Sequence, residues 1–443
     1  MNIVVRFAPS PTGRIHIGNA RTAILNWLLA QKTVGQFILR YDDTDLARST
    51  QDYAEGIATD LAWLGIKPHH VEWQSKRFPR YDAVADALRA SGYLYPCYET
   101  ADELDRRRKR QQARGLPPIY DRAALKLTAE EKAALEAQGR KPHWRFKLAH
   151  RMVEWNDLIR GPVHIDTTTL SDPVLVREDG SYLYTLPSVI DDIDFAITHV
   201  VRGEDHVVNT AVQIEITEAL GAAPPAYAHH SLLTGADGKG LSKRLGSLSI
   251  AQMRADGFEA MAVVSHAALL GTSENIHPCT NIEELVAGFD LAKLSRAPAR
   301  FDEKELAALN AKLLHMTPWS AVSDRLPGHT EAFWNAVRGN VEKLSDTTGW
   351  SEILTHHGKF DTGKDEDFLA KARDLLPPEP WDANTWKNWT ESVKAATGRK
   401  GKELYMPLRL ALTGLDHGPE LAALLPLIGR EKTLERLGQL AQP

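Results

Sequence analysis

The feature that most constrains this chain is the succession of patterns in its first forty residues. Ile3-Val4-Val5-Arg6-Phe7-Ala8 is short and rich in β-branched and apolar residues, which predicts a strand. Pro9-Ser10-Pro11-Thr12-Gly13-Arg14 is a turn, and from about Gly18 to Gln31 the residues Ala23, Trp27 and Ala30 recur at helical spacing. Phe37-Ile38-Leu39-Arg40-Tyr41 reads as a second strand. Strand, turn, helix, strand opens a parallel α/β unit.

The rest of the chain extends and then interrupts that plan. At ~150 residues per domain, 443 residues predict about three domains. Residues 95–177 are charge-rich and broken by Pro and Gly, which marks an insertion between two halves of the α/β domain; Val163-His164-Ile165 and Val174-Leu175-Val176 allow strands within it. Ile197–Arg202 predicts a further strand and Thr210–Leu220 a helix. Beyond about residue 250 helical patterns dominate, with breaks expected at Pro298, Pro318, Pro327, Pro377-Pro378 and Pro407. No run reaches the ~18 apolar residues a membrane helix needs, and Arg6 interrupts the first apolar run too early for a signal peptide, so a cytoplasmic location is expected. Two cysteines, Cys97 and Cys279, exclude a disulfide framework.

The formal net charge of −5 speaks against a nucleic-acid binder, but the charge is unevenly spread. Arg106-Arg107-Arg108-Lys109-Arg110 and Arg399-Lys400-Gly401-Lys402 are dense basic runs, each open to two readings, a solvated surface or a polyanion contact. Screening confines fields to ~8–10 Å, so an acidic protein can carry a local basic track.

Two segments carry chemistry. Ser10-Pro11-Thr12-Gly13-Arg14-Ile15-His16-Ile17-Gly18-Asn19 joins a strand to a helix N-terminus, whose free N–H groups suit phosphate, with His16 as a donor and Gly18 allowing close approach. Asp237-Gly238-Lys239-Gly240-Leu241-Ser242-Lys243-Arg244 is a glycine-rich cationic segment able to stabilise charge at a phosphate. Either alone reads more readily as an ordinary turn.

Together they resemble the two signature motifs of class I aminoacyl-tRNA synthetases, His16-Ile17-Gly18-Asn19 as the first and Leu241-Ser242-Lys243-Arg244 as the second. Arg6-Phe7-Ala8-Pro9-Ser10-Pro11-Thr12-Gly13, Arg40-Tyr41-Asp42-Asp43-Thr44-Asp45, Val201–Thr210 and Lys402–Gly414 narrow the resemblance to bacterial-type glutamyl-tRNA synthetases. It implies a Rossmann-type catalytic domain (1–94 and 178–240), an acceptor-end insertion (95–177), a stem-contact segment (241–310) and a mostly α-helical anticodon-binding region (311–443). It also implies a monomer that uses ATP with Mg2+, L-glutamate and tRNA-Glu, with no membrane partner. His16 and Lys243 are the catalytic residues on this reading. ATP would meet His16, Gly18, Asn19, Asp205, Leu241, Ser242, Lys243 and Arg244. Glutamate would meet Arg6, Ala8, Ser10, Asp42, Tyr184, Ser188, Arg202 and His206.

Three departures from the family pattern matter. Asn19 replaces a frequent second histidine, altering one phosphate contact. Asp42 replaces a frequent glutamate, shortening the reach to the substrate ammonium by one methylene. Some relatives bind zinc through Cys and His in the insertion, but here Cys97 is followed by Tyr98-Glu99-Thr100, and Tyr120-Asp121-Arg122-Ala123-Ala124 adds no second cysteine, so no structural zinc is expected. Of the neighbouring activities, a tRNA-base glutamylating enzyme should lack the C-terminal region, a glutaminyl enzyme has no need of Arg202, and an inactive RNA-binding paralogue should have lost His16 or Lys243. Whether tRNA-Gln is also charged with glutamate stays open.

Overall fold

Residues 2–235, 238, 241, 248–360 and 365–438 are described in a computed structural model. The opening pattern folds as its periodicities require. β1 (Val4–Phe7), α1 (Ile17–Lys32), β2 (Gln36–Tyr41), α2 (Gln51–Trp63) and β3 (His70–Trp73) alternate, and the three strands pair in parallel in the order β1-β2-β3. The register sets Arg6 beside Ile38 and Arg40 beside Glu72. β1 and β2 are buried on both faces, as covering helices demand, with Val5, Phe37, Ile38 and Leu39 all in the core, whereas β3 is more exposed.

After α3 (Phe78–Ala90) the chain leaves the parallel sheet. The insertion runs through β4 (Leu94–Cys97), α4 (Ala101–Ala113), α5 (Ala129–Ala137), β5 (His143–Phe146), β6 (Met152–Asp157), β7 (Gly161–Asp166) and β8 (Val174–Val176). It holds an antiparallel sheet in the order β4-β5-β8 and a separate β6–β7 hairpin. α4 carries the first basic run and buries none of its residues.

The parallel plan then resumes with α6 (Thr185–Asp194), β9 (His199–Gly203), α7 (Val207–Ala219) and β10 (Ala226–His230), β9 and β10 pairing so that Arg202 lies beside His229. β9 lies along the open side of β1: the Thr198 N–H donates to the Val4 carbonyl at 2.9 Å, and the Val4 N–H donates to Thr198 Oγ1 at 2.9 Å. The carboxyl ends of β1, β2, β9 and β10 therefore open on one edge, where ligands bind in sheets of this kind. β11 (Leu233–Gly235), α8 (Ile250–Ala255), α9 (Ala260–Leu269), α10 (Ile282–Gly288) and β12 (Ala299–Phe301) follow, and β12 pairs in parallel with β11. This strand carries no sequence signal of its own, since three residues are too few to show a period, yet Ala299 and Phe301 are buried in alternation with exposed Arg300.

The chain divides into two compact units, Met1–Asp256 with Val263–Asp302, and Gly257–Ala262 with Glu303–Pro443. The second unit is helical: α11 (Glu303–Met316), α12 (Glu331–Val337), α13 (Thr347–Thr355), α14 (Glu366–Asp374), α15 (Thr385–Thr397), α16 (Lys402–Thr413), α17 (Leu421–Ile428) and α18 (Arg430–Arg436). Trp334, Trp389, Leu404, Leu408, Leu424 and Leu425 sit at its centre. Buried Arg436 donates to the carbonyls of Leu412 (2.6 Å), Ile353 (2.7 Å) and His356 (2.8 Å), satisfying helix ends from inside the core. The break expected at Pro407 is absent, since Pro407 lies inside α16. A proline there leaves the carbonyl four residues earlier without its N–H, and Arg399 Nη1 donates to that Glu403 carbonyl at 3.5 Å.

Candidate functional site

The first motif is built as a helix cap. His16 is the N-cap of α1, and its Nδ1 accepts the Gly18 N–H at 3.0 Å. The Asn19 side-chain oxygen accepts the His16 N–H at 3.4 Å. The ring proton of a neutral His16 therefore sits on Nε2, which becomes a donor, and burial depresses the ring's pKa and keeps it neutral. A Cβ at position 18 would stand 2.8 Å from His16 Cε1, so glycine is what allows the ring its place. Asn19 is exposed, and with its oxygen turned to the cap its amide NH2 remains a donor.

Ser242, Lys243 and Arg244 lie outside the described residues; Leu241 is half-buried. The chain that follows them is fastened to the first motif. The Ile17 N–H donates to the Leu248 carbonyl at 3.0 Å, and the Ile250 N–H to the Ile15 carbonyl at 3.1 Å. Asp205, directly after β9, is exposed, and Gly203 makes room for it: a Cβ there would come within 2.5 Å of Asp205 Oδ1.

The expected glutamate residues gather at the strand ends around a buried charge cluster. Arg6 Nε meets Asp192 Oδ1 at 3.2 Å, and Arg40 Nη1 meets the same oxygen at 2.7 Å. Arg40 also grips Asp42 through Nε (2.7 Å) and Nη2 (3.3 Å), and its Nη2 donates to Ser188 Oγ at 3.0 Å. Asp191 accepts from Arg77 Nε (2.8 Å), Gln74 Nε2 (2.9 Å) and Tyr81 Oη (2.9 Å). Burial lifts the pKa of Asp42 although Arg40 works against it. Three guanidinium groups (Arg6, Arg40, Arg77) thus face three carboxylates (Asp42, Asp191, Asp192). Ser188 is fully buried with its hydroxyl on Arg40, so it touches the pocket through Arg40. Ala8 is half-buried and Ser10 exposed at the mouth.

Arg202 stands apart from that balance. It is 5% exposed, and its partners are all uncharged or imidazole: Tyr184 Oη from Nη1 (3.1 Å), Thr210 Oγ1 from Nη2 (2.7 Å) and His229 Nε2 from Nε (3.2 Å). The Tyr227 ring lies 5.5 Å from its Cζ. The Tyr184 ring packs on His206 with centroids 5.7 Å apart, and burial, with Arg202 nearby, depresses the His206 pKa. Among the described residues Arg202 is a buried cation with no carboxylate against it, and, standing at the strand ends, it is free to pair with an anionic ligand group.

Sequence reasoning missed Arg40, Asp191, Asp192, Asp157 and His229. The run Ile190-Asp191-Asp192-Ile193 carried a usable signal: two acids flanked by isoleucines on a short helix need buried partners. In the insertion, residues far apart in sequence converge, with the ligand atoms of Cys97, Glu99 and His143 all within 4.8 Å of one another. Counting cysteines could not find that group. It offers three ligand atoms where a closed zinc site needs four; with no metal bound, burial pushes the Cys97 thiol up to about 12, and burial together with Arg145 takes His143 down to about 4. Glu99 Oε1 is engaged by Tyr120 Oη (2.9 Å) and Arg107 Nη1 (3.3 Å), while Glu99 Oε2 and His143 Nε2 have no hydrogen-bond partner.

Comparison with known proteins agrees with this geometry. Residues 2–308 match the family described as tRNA synthetases class I (E and Q), catalytic domain, and residues 342–441 match an anticodon binding domain. The chain is 60% identical over 440 residues to a glutamate–tRNA ligase 2 from Methylobacterium sp. (strain 4-46), covering 98% of each chain. It is 56% identical over 455 residues to a glutamate–tRNA ligase 1 from Brucella canis, covering 98% of this chain and 100% of the relative. Among solved structures, a glutamate tRNA ligase from Elizabethkingia meningosepticum in complex with its amino acid superimposes with a TM-score of 0.86 at 28% identity, over 99% of this chain and 98% of that one.

Proposed function

Because the chain belongs to the class I tRNA synthetases and, within them, to the glutamate–tRNA ligases, we propose that it activates L-glutamate with ATP and transfers it to the terminal adenosine of tRNA-Glu. In the first step a glutamate carboxylate oxygen attacks the α-phosphorus of ATP, giving glutamyl-adenylate and pyrophosphate. In the second a ribose hydroxyl of the tRNA end attacks the activated carbonyl and AMP leaves. Mg2+ accompanies ATP and offsets the charge of its phosphates.

His16 donates from Nε2 to a phosphate oxygen, with Gly18, Asn19, Asp205 and Leu241 around the nucleotide. Lys243, between Ser242 and Arg244, stabilises charge developing at the α-phosphate. Arg6, Asp42, Tyr184, Arg202 and His206 surround glutamate, with Ala8 and Ser10 at the mouth and Ser188 acting through Arg40. Asp42 takes the ammonium, and Arg202 takes the side-chain carboxylate. The observation that carries this reading is the contrast between the charge-balanced cluster and Arg202, a guanidinium at the same strand ends that meets no carboxylate among the described residues. Residues 95–177 receive the acceptor end, 241–310 contact the stem and 311–443 read the anticodon. ATP–pyrophosphate exchange with glutamate, with and without tRNA, tests the activity. Charging purified tRNA-Glu and tRNA-Gln side by side tests the tRNA preference; an enzyme inert with tRNA-Glu would overturn the assignment.

tRNA binding is expected to weaken steeply with salt despite the net charge of −5, because phosphate neutralisation releases counterions. Arg106 and Arg108 on α4 are exposed, whereas Arg107 is shared with Glu99 (3.3 Å) and Asp121 (3.2 Å). Replacing Arg106, Arg107 and Arg108 together should reduce the slope of log K against log salt. An unchanged slope would make the run a solvated helix face.

No resident zinc is expected. Metal analysis of the purified protein should find it substoichiometric, since one thiol, one carboxylate and one imidazole are three ligands and do not make a closed tetrahedral set. One tightly held zinc per chain, lost in Cys97→Ala, would refute this.

A further inference from the structure

The turn closing the β6–β7 hairpin reaches from the insertion to the strand ends that carry Arg202. The Leu158 N–H donates to the Tyr227 carbonyl at 2.9 Å, and Asp157 is buried against β10. Asp157 Oδ1 accepts three backbone N–H groups, those of Arg160 (2.9 Å), Ile159 (3.0 Å) and His229 (3.1 Å). Its other oxygen, Oδ2, lies 2.5 Å from His229 Nδ1. A carboxylate so placed requires the imidazole proton on Nδ1, which leaves Nε2 as a bare acceptor. That acceptor receives the Arg202 Nε–H at 3.2 Å, and Thr210 Oγ1 stands 3.0 Å from it.

We propose that Asp157 and His229 are positioning residues for amino-acid recognition: Asp157 locks His229 in the tautomer whose Nε2 accepts from Arg202, and this aims the outer N–H groups of Arg202 into the pocket. The proposal rests on the reading of Arg202 as the residue that binds the glutamate side chain. With the proton on Nε2 instead, two N–H groups would point at each other and the guanidinium would turn away. The state of the pair fits. Burial opposes charge on both, yet hydrogen bonds from His229 and the backbone hold Asp157 at about 2, and burial depresses His229, so the pair is carboxylate and neutral imidazole near neutral pH. The orienting partners carry no formal negative charge, so Arg202 is directed without being neutralised, and its charge stays available to the ligand.

Asp157→Asn is the decisive substitution because it keeps shape and changes protons. The three backbone donors hold the amide oxygen on their side, so the amide NH2 faces His229 Nδ1 and the ring proton moves to Nε2, the wrong-tautomer effect known for an aspartate behind a catalytic histidine. In pyrophosphate exchange with tRNA present, this variant is expected to raise the KM for glutamate roughly 10- to 100-fold, with the KM for ATP unchanged. His229→Gln keeps a carbonyl able to accept from Arg202 and should raise the glutamate KM less than His229→Phe, which keeps a ring and removes the acceptor. That pair carries the test alone if Asp157→Asn does not fold, and equal KM values for the two would overturn the proposal. Arg202→Ala, measured in parallel, separates the two readings. If it leaves the glutamate KM unchanged, the assignment of Arg202 fails. If it raises the KM while Asp157→Asn and His229→Phe do not, the positioning role alone fails. A parallel rise for ATP and glutamate would mark a general loss of structure and would also overturn it.

Discussion

Replacing Arg202 with alanine is expected to raise the KM for glutamate sharply and to narrow the preference for glutamate over glutamine. Glutamine is nearly isosteric with glutamate, so a pocket cannot reject it by shape. It can reject it by charge. Arg202 is buried, has its Nε side engaged by His229 and Thr210, and meets no carboxylate among the described residues. A neutral amide would leave that cation uncompensated and would set amide N–H groups against guanidinium N–H groups. Truncating one member of a buried, hydrogen-bonded charge pair costs roughly 2–5 kcal/mol, which corresponds to about 30-fold to several-thousand-fold in kcat/KM. Arg6 is a less suitable discriminator because Asp192 already balances it. The measurement is kcat/KM for both amino acids in wild type and variant. Lost activity with an intact glutamate-to-glutamine ratio would make Arg202 a structural residue.

The second large effect belongs to Lys243. Adenylate formation should fall roughly 10²–10³-fold in Lys243→Ala, the loss expected for one preorganised donor at developing charge. Lys243 itself lies outside the described residues, but the chain beyond it returns along the first motif, where Leu248 and Ile250 hydrogen-bond to Ile17 and Ile15. Because the interaction strengthens in the transition state, kcat should fall more than the affinity for ATP. Rapid-quench measurement of adenylate separates the two, and an unaltered rate would remove Lys243 from the chemistry.

The parts of this protein that were legible in its sequence are those governed by local rules. The strand at Phe37–Tyr41, the helix after His16 and the strand before Gly203 each announce themselves through periodicity and lie within two residues of their expected ends. The residues around His16 and Arg202 were singled out through the resemblance to glutamyl-tRNA synthetases, since turn chemistry alone left the first segment readable as an ordinary turn. What escaped depends on long-range meetings. Arg40 reads as one more residue of a strand until Asp192, 152 positions later, is seen to share its charge. Asp157 looks like an ordinary turn residue until its carboxylate is found on His229, 72 positions away. The grouping of Cys97 with His143 escaped for the same reason, because β4 and β5 pair across the whole α4–α5 excursion.

The seating of β9 along β1 bears on how the polypeptide is made. Val4 finds its partner Thr198 across 194 positions. At a synthesis rate of roughly 5–20 residues per second, that partner follows about 10–40 s later. During that interval β1, β2 and β3 can assemble around α1, but the outer edge of β1 presents unpaired backbone, and Val4 lacks the Ile197 and Val200 side chains of the cluster it packs against. The nascent half-sheet thus carries an open strand edge, and the later arrival of β9 ends that exposure.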